Sequence, residues 1–334
     1  MGDKIQKWCI LLFSAGFAAV WIWVCGISAL SMSQTKKICA LAAGLLGAAA
    51  LAAWLFGKLS RKAADGRRLW RILSCLLLVL MGAGLLYAGM ELKVYPGWDF
   101  GAVYQGAVEI VENGAFSESS NWYFTTYPNN VAVCMFLAGF FKLFGGLGSY
   151  ITLGVLLNVV LILLGMVFTC LLAEKLYGSR AGFLVLLFCA FFLPFYMHAP
   201  IFYTDTFALP FVTGSFLLYQ YRKKDARWLI LTAAVLAVGY KVKGSLGVIL
   251  IALLIHLWLH REGAAERLKK SVFLLVPFLL LVGFLTVVPE KMPFFDASEK
   301  EKNEFPVEHW LAMGLAGSGG SVSYTHLRAH ETAA

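Results

Sequence analysis

Two aspartates lie where a carboxylate could take part in chemistry. Asp99 opens an amphipathic stretch directly after Trp98, and Asp205 stands in front of an apolar run. A carboxylate beside an aromatic-lined membrane surface is in a water-poor place, which suits a general base or a ligand of a divalent cation. Each aspartate is also compatible with a plain helix-capping role, so both readings stay open.

Two lysines near helix ends could hold an anion. Lys243 lies between Tyr240 and Gly247 in an apolar setting, where an ammonium group is costly unless it is paired or reaches the interface. In such a place a lysine can act as a point charge that holds a lipid phosphate. Lys241 offers the same chemistry more weakly. Simple snorkelling to the interface is the alternative for both lysines.

The interval around Asp99, residues 98–130, is the least membrane-like part of the central chain. Apolar side chains recur at helical spacing over residues 100–111, and Glu109 falls off that stripe. The pattern predicts an amphipathic helix on the membrane surface, with Asp99 as its N-cap and Asn113 at its end.

A turn and an aromatic cluster complete this interval. Pro128 forces a turn that Asn129 and Asn130 finish. Large aromatic side chains precede the turn, and we expect them at about the depth of the lipid headgroups. They are Trp122, Tyr123, Phe124 and Tyr127.

The composition of the whole chain is that of a membrane protein. Of 334 residues, 60% are hydrophobic and 14% are charged, whereas soluble domains have about 45–50% apolar and about 25% charged residues. The net charge of +9 arises from basic residues in short loops between apolar runs. This is the positive-inside pattern, so we expect a lipid bilayer and no nucleic acid as partner.

Long apolar runs predict an all-α polytopic membrane protein. Each run approaches the length of about 20 residues that a transmembrane helix needs. The basic loop between residues 58 and 71 should be cytoplasmic, which puts the N-terminus inside and Asp99 outside the plasma membrane. The predicted spans or part-spans are residues 8–30, 38–56, 72–90, 150–173, 181–197, 206–221, 228–240, 245–259 and 271–288.

Residues 131–144 decide the topology. The run is short for a span and contains Lys142. If it crossed the membrane, the later basic loops would lie outside, against the positive-inside rule. We therefore predict that it is re-entrant, interfacial or half of a broken crossing, so that Asp205 reaches the same face as Asp99.

The C-terminal residues have a different origin on our reading. Residues 322–332 look like a translated sequencing adaptor, which would make this chain a C-terminally truncated fragment. The predicted division is an N-terminal hairpin with its basic loop over residues 1–68, a catalytic membrane region over residues 69–320 and an artefactual tail over residues 321–334.

Common catalytic motifs are absent from the sequence. There is no GxSxG, HExxH, P-loop or GxGxxG before a helix. The histidines are scattered, and only His309, beside Glu308, stands near the proposed site. No metal ligands can be named, and no cofactor is certain, although a divalent cation remains possible.

The order of these features resembles the GT-C membrane glycosyltransferases, in particular the branch similar to protein O-mannosyltransferases and aminoarabinose transferases (glycosyltransferase family 39-like). The residues that carry the resemblance are an acid in the first large external loop, a Tyr-Pro turn, a second external acid and a lysine that heads a later helix. Here they are Asp99, Tyr127-Pro128, Asp205 and Lys243. The resemblance spans about residues 69–310 and has no single diagnostic motif.

The resemblance implies a GT-C-type helical bundle whose external loop bears interfacial amphipathic helices. It also implies sugar transfer, with inversion, from a polyprenyl-phosphate-linked donor to an extracytoplasmic glycan, lipid or protein. Asp99 would be the base, Asp205 would position a substrate, and Lys243 would hold the phosphate. Further substrate contacts would come from Lys241, Tyr104, Tyr127, Asn129, Asn130, Tyr203 and His309.

Two departures from the family pattern matter. The family often has paired acids in the first loop, whereas Phe100 follows Asp99 here, which argues against a metal role. Two additional helices precede the family's usual first helix. The competing functions are a transporter or flippase of lipid-linked sugars, which predicts charges at the bilayer midplane, and a non-catalytic scaffold, which predicts that the two aspartates lie far apart.

Overall fold

The protein is an all-α polytopic membrane protein. A computed structural model describes residues 66–222, 225–260 and 262–305. The predicted N-terminal hairpin, His309, Glu308 and the C-terminal tail lie outside the described residues. The first described helices are α1 (Gly66–Glu91), α2 (Trp98–Glu112), α3 (Glu118–Thr126), α4 (Val131–Phe144), α5 (Tyr150–Tyr177) and α6 (Ser179–Ala190). The later ones are α7 (Leu193–Met197), α8 (Thr204–Tyr219), α9 (Arg227–Val242), α10 (Gly247–Leu259), α11 (Ala264–Glu290) and α12 (Lys300–Asn303).

Helices α1 and α5 run antiparallel and define the two ends of the bundle. Arg71 near the start of α1 forms a salt bridge of 2.6 Å with Glu174 near the end of α5. At the opposite end, Lys93 Nζ donates to Thr152 Oγ1 over 3.2 Å. We call these the arginine end and the site end. Helices α8 to α11 then alternate in direction between them.

The stretch from Lys93 to Thr152, which contains residues 131–144, makes no net crossing of the bundle. The chain between Lys93 and Thr152 leaves and returns at the site end, because these two side chains are hydrogen-bonded to each other. The stretch Pro128–Leu147 has the length and apolarity of a membrane span, as do Gly66–Glu91, Tyr150–Tyr177 and Ala264–Glu290. Length and composition therefore do not distinguish a re-entrant element from a span.

Close packing joins α2, α3 and α4 into one unit at the site end. A Cβ atom on Gly106 would lie 2.5 Å from the ring of Phe124 and 3.1 Å from Cys134 Sγ. Only glycine allows this approach. Phe124, which was predicted at headgroup depth, is fully buried by this contact.

Three local predictions were wrong. Gly97, not Asp99, is the N-cap of α2, and Asp99 lies in the first turn. Glu109 is not on a solvated face: it is 6% exposed. The predicted run 181–197 is broken into α6 and α7, because Pro194 has no backbone N–H and ends the continuous helical hydrogen-bonding pattern.

Glu109 is buried because it joins α2 to α3. Its carboxylate accepts hydrogen bonds of 2.9 Å from both the backbone N–H and the hydroxyl of Ser117, the N-cap of α3. Gln105 Nε2 donates over 3.3 Å. Burial alone would raise the pKa of Glu109, but these hydrogen bonds outweigh it and lower the pKa.

Residues 291–305 return over α3 and cover the site end. The amide N–H of Phe116 donates to the carbonyl of Phe294 over 3.0 Å. Asn121 exchanges two hydrogen bonds with the backbone of Asp296, and Asn303 donates to Thr125 over 3.0 Å. We call residues 291–305 the return segment.

Candidate functional site

A directed hydrogen-bond network surrounds Asp99. The hydroxyl of Tyr123 donates to Asp99 Oδ1 over 3.0 Å. That hydroxyl accepts from Asn130 Nδ2 over 2.7 Å. Asn130 Oδ1 in turn accepts from the hydroxyl of Tyr203 over 3.4 Å and from Asn129 over 3.2 Å. We call Asp99, Tyr123, Asn130 and Tyr203 the Asp99 network.

The network fixes which group donates at each step. Asn130 is 4% exposed, and its amide nitrogen can only donate while its carbonyl can only accept. The hydroxyl of Tyr123 therefore accepts a hydrogen bond from Asn130 and donates its own hydrogen to Asp99. As a result, one oxygen of the carboxylate is held and Oδ2 has no protein donor among the described residues.

Both tyrosines of the network stay protonated over a wide pH range. Burial is the main reason that the pKa of Tyr203 rises to about 12, and the negative charge of Asp99 adds to it. Burial and the nearby charges also raise the pKa of Tyr123 well above its usual value. Both hydroxyls therefore remain donors.

Asp205 and Lys243 form an ion pair at the same end of the bundle. Asp205 lies in the first turn of α8 and Lys243 follows the last residue of α9. The carboxylate of Asp205 also raises the pKa of Tyr203, after the larger effects of burial and Asp99. Both aspartates thus act on one tyrosine, and Lys243 already has an anionic partner.

Asn158 holds the loop that leads to Asp205. This asparagine lies in α5 and is fully buried. Its Nδ2 is within 2.8 Å of the carbonyl of His198, 2.9 Å of that of Ala199 and 3.2 Å of that of Ile201. A lone amide in an apolar helix was a signal that the sequence analysis missed, because polar groups within the bilayer need partners.

A cavity of about 640 Å³ opens beside this network. It lies between the turn before α4, the ends of α9 and α11, and the return segment. Its charged and amide-bearing lining residues are Asn129, Lys241, Glu290, Lys300 and Glu304. Lys300, Glu290 and Glu304 were not predicted as site residues, since their shared location depends on the folding of the return segment.

An apolar groove of about 270 Å³ adjoins the cavity. Both spaces are lined by Ala132, Lys241, Leu285 and Pro289. The remaining lining of the groove is aliphatic and aromatic, from Met135, Phe136, Phe207, Phe211, Val238, Val242 and Val288. Lys241 thus stands where a polar cavity meets an apolar groove.

The other predicted contacts have different surroundings. The ring of Tyr127 packs against Tyr123 at 5.1 Å between centroids. Tyr104 packs edge-on against Phe141 and Phe202 in the core. Within the described residues, no three His, Cys, Asp or Glu side chains converge as a metal site.

Comparison with known proteins gives one match. No curated protein and no solved structure matches the chain. A family model described as conserved hypothetical integral membrane protein matches residues 32–332, which is most of the chain. The chain therefore belongs to this family of conserved hypothetical integral membrane proteins.

Proposed function

We propose that the protein is a glycosyltransferase of the plasma membrane with a GT-C-type architecture. It transfers a sugar from a polyprenyl-phosphate-linked donor to an acceptor on the extracytoplasmic side, with inversion at the anomeric carbon. The observation that carries this proposal is the network that brings Asp99 and Tyr203, beside Asp205, to one end of the bundle. The adjoining cavity and apolar groove offer places for a sugar phosphate and a lipid chain.

Asp99 is the general base of the proposed reaction. It takes the proton of the acceptor hydroxyl, whose oxygen then forms a bond to the anomeric carbon. The bond between that carbon and the phosphate oxygen breaks, and polyprenyl phosphate leaves with the electron pair. Because Tyr123 occupies Oδ1, the free Oδ2 is the atom that receives the proton.

Asp205 and Lys243 position the substrates on this proposal. Their ion pair already neutralises Lys243, so Lys241 is the better placed cation for the donor phosphate. The contact with the donor phosphate, which was expected from Lys243, is thus proposed for Lys241. Lys241 also stands at the mouth of the groove that suits the polyprenyl chain.

The orientation follows from the charges at the opposite end. Arg67, Arg68 and Arg71 lie at the arginine end, and clustered arginines next to a membrane helix favour the cytoplasmic side. The site end is then extracytoplasmic. The active site thus faces acceptors of the cell envelope.

The substitution Asp99→Asn tests the proposal. In membranes that hold equal amounts of protein, we expect sugar transfer from a lipid-phosphate donor to fall by about 10²-fold or more, the usual contribution of a general base. Glu112→Gln is the matched control, since Glu112 is an exposed acid on the same helix, and it should retain transfer. Undiminished transfer by Asp99→Asn would reject the base.

The outcome also separates the rival functions. A flippase would move a labelled lipid-linked sugar between leaflets without forming a new glycosidic bond, and a scaffold would do neither. Mass measurement of acceptors from cells with and without the gene distinguishes the three. A new sugar on an acceptor that depends on Asp99 supports transfer.

A further inference from the structure

The cavity beside the Asp99 network holds two lysines from separate parts of the chain. Lys241 comes from the last turn of α9, and Lys300 from the start of α12 in the return segment. Both line the same space.

Lys241 has no anionic partner in the described part of the chain. Its Nζ donates to Thr286 Oγ1 over 3.2 Å, and no described carboxylate lies within 4.0 Å of it. A half-buried ammonium with only a hydroxyl acceptor retains most of its desolvation cost. An anion in the cavity would remove that cost.

Lys300 sits across the cavity between two glutamates. It forms an ion pair with Glu290 and lies 3.8 Å from Glu304 Oε2. These acids hold Lys300 at the rim, and Glu290 also attracts Lys241, although from beyond the 4.0 Å of an ion pair. Hydroxyl groups of Thr126, Ser245 and Thr286 also line the space. Those of Thr126 and Thr286 donate to helix carbonyls, so the hydroxyl of Ser245 is the one that can donate to an anion.

The adjoining groove specifies what is attached to the anion. It is lined almost wholly by apolar side chains and meets the cavity at Lys241. A free inorganic ion would use only the cavity, whereas an amphiphile would fill both spaces. Because the polar cavity and the apolar groove share part of their lining, they favour a lipid with one anionic head group and one hydrocarbon chain.

We infer that Lys241 and Lys300 bind the phosphate of an amphiphile from two sides, with its hydrocarbon chain in the groove. The inference deepens the proposed function, on which it rests for the identity of the lipid, and it makes the return segment part of the binding site. Binding itself requires no sugar transfer. The two claims can therefore fail separately.

The test measures binding of dodecyl phosphate to the purified full chain in a neutral detergent. We expect Lys241→Gln and Lys300→Gln each to weaken binding by about tenfold or more, as for a lost hydrogen bond to a charged group. Lys302→Gln is the matched control, because Lys302 is on the same short helix but has a side chain that is 78% exposed. It should bind like the unmodified protein.

A double variant separates contact from net charge. Lys300→Gln alone leaves Glu290 and Glu304 unpaired, which would repel an anion. Lys300→Gln combined with Glu290→Gln keeps the cavity charge constant, and binding should remain about tenfold weaker. Recovery of full affinity in this double variant would overturn direct binding by Lys300.

Two further ligands show whether the site requires the anionic group, the hydrocarbon chain or both. Dodecanol lacks the charge and inorganic phosphate lacks the chain, so each should bind at least about tenfold more weakly than dodecyl phosphate. Equal affinity for dodecanol would overturn the phosphate site, and equal affinity for inorganic phosphate would overturn the lipid. If dodecyl phosphate binds as expected but Asp99→Asn leaves sugar transfer unchanged, the proposed reaction fails while this site stands.

Discussion

The Asp99 network and the Lys241 cavity lie at the same end of the bundle, but they satisfy their polar groups in different ways. In the network, Tyr123, Asn130 and Tyr203 donate and accept in a fixed order. In the cavity, the hydroxyl of Thr286 is the one hydrogen-bond partner of Lys241 among the described residues. Both polar atoms of the Asn130 side chain thus have protein partners, whereas no described carboxylate lies within 4.0 Å of Lys241.

This difference suggests that the buried groups of the network stabilise the fold, whereas Lys241 contributes little to stability and is available to bind a ligand. Removing a member of a complete network leaves other buried polar groups unpaired, which lowers stability. The ammonium group of Lys241 has no described carboxylate within 4.0 Å, so its removal deprives only the hydroxyl of Thr286 of a hydrogen-bond donor. Substitutions in the network should therefore cost stability, whereas those in the cavity should cost binding.

The largest expected effect on stability is that of Asn130→Ala. Loss of this buried amide leaves Tyr123 without a donor and Tyr203 without its acceptor, so the free energy of unfolding should fall by about 2–3 kcal/mol. Denaturant or thermal unfolding in detergent measures it. Asn129→Ala, an exposed neighbour, should change it by less than about 0.5 kcal/mol. Equal effects at both positions would show that the network is not structural.

A smaller effect should appear at alkaline pH. The pKa of Tyr203 is about 12 in the folded protein and about 10 in an unfolded chain. The folded state holds this proton more tightly, so the stabilisation is complete below pH 10 and is lost as the pH rises towards 12. In Tyr203→Phe, the melting temperature should decline less over this range than in the unmodified protein.

The control for this titration is Tyr177→Phe, because Tyr177 is 79% exposed and lies near the arginine end. It should follow the unmodified protein. A decline in Tyr203→Phe as steep as in the unmodified protein would mean that other groups cause the alkaline loss.

The smallest expected effect is that of Lys241→Met on stability. Methionine keeps the length of the side chain and removes the charge, so the free energy of unfolding should change by no more than about 0.5 kcal/mol. Denaturant or thermal unfolding in detergent measures this change as well. A loss as large as that of Asn130→Ala would make Lys241 a structural cation and would remove the contrast between the two regions.

The long helices were predictable from sequence because long apolar runs dictate them, whereas the short polar helices α3 and α12 were not predicted. The end of α2 at Asn113, where Gly114 has a φ of 73°, was also confirmed. The break between α6 and α7 was missed because the apolar run continues through it, and apolarity carries no information about the lost hydrogen bond at Pro194. Only the proline itself signalled the break.

The residues of the candidate site were easier to predict than the contacts between them. Asp99, Asp205, Lys243 and Asn130 were identified, but the pairing of Asp205 with Lys243 depends on how α8 packs against α9. Glu109 was placed on the wrong face because helical periodicity cannot anticipate that Ser117 needs an acceptor. Tyr123 was assigned only to an aromatic cluster, since its role depends on a hydrogen bond to a residue 24 positions away.

Trp98 bears on the depth at which Asp99 operates. It has a φ of 55°, a left-handed conformation that costs a bulky residue about 1–2 kcal/mol, and its side chain is 98% exposed. An exposed indole at the end of a membrane bundle settles in the headgroup layer. The next residue is Asp99, so we expect the thickness of the surrounding bilayer, and not only the protein scaffold, to set the height of the carboxylate above the hydrocarbon.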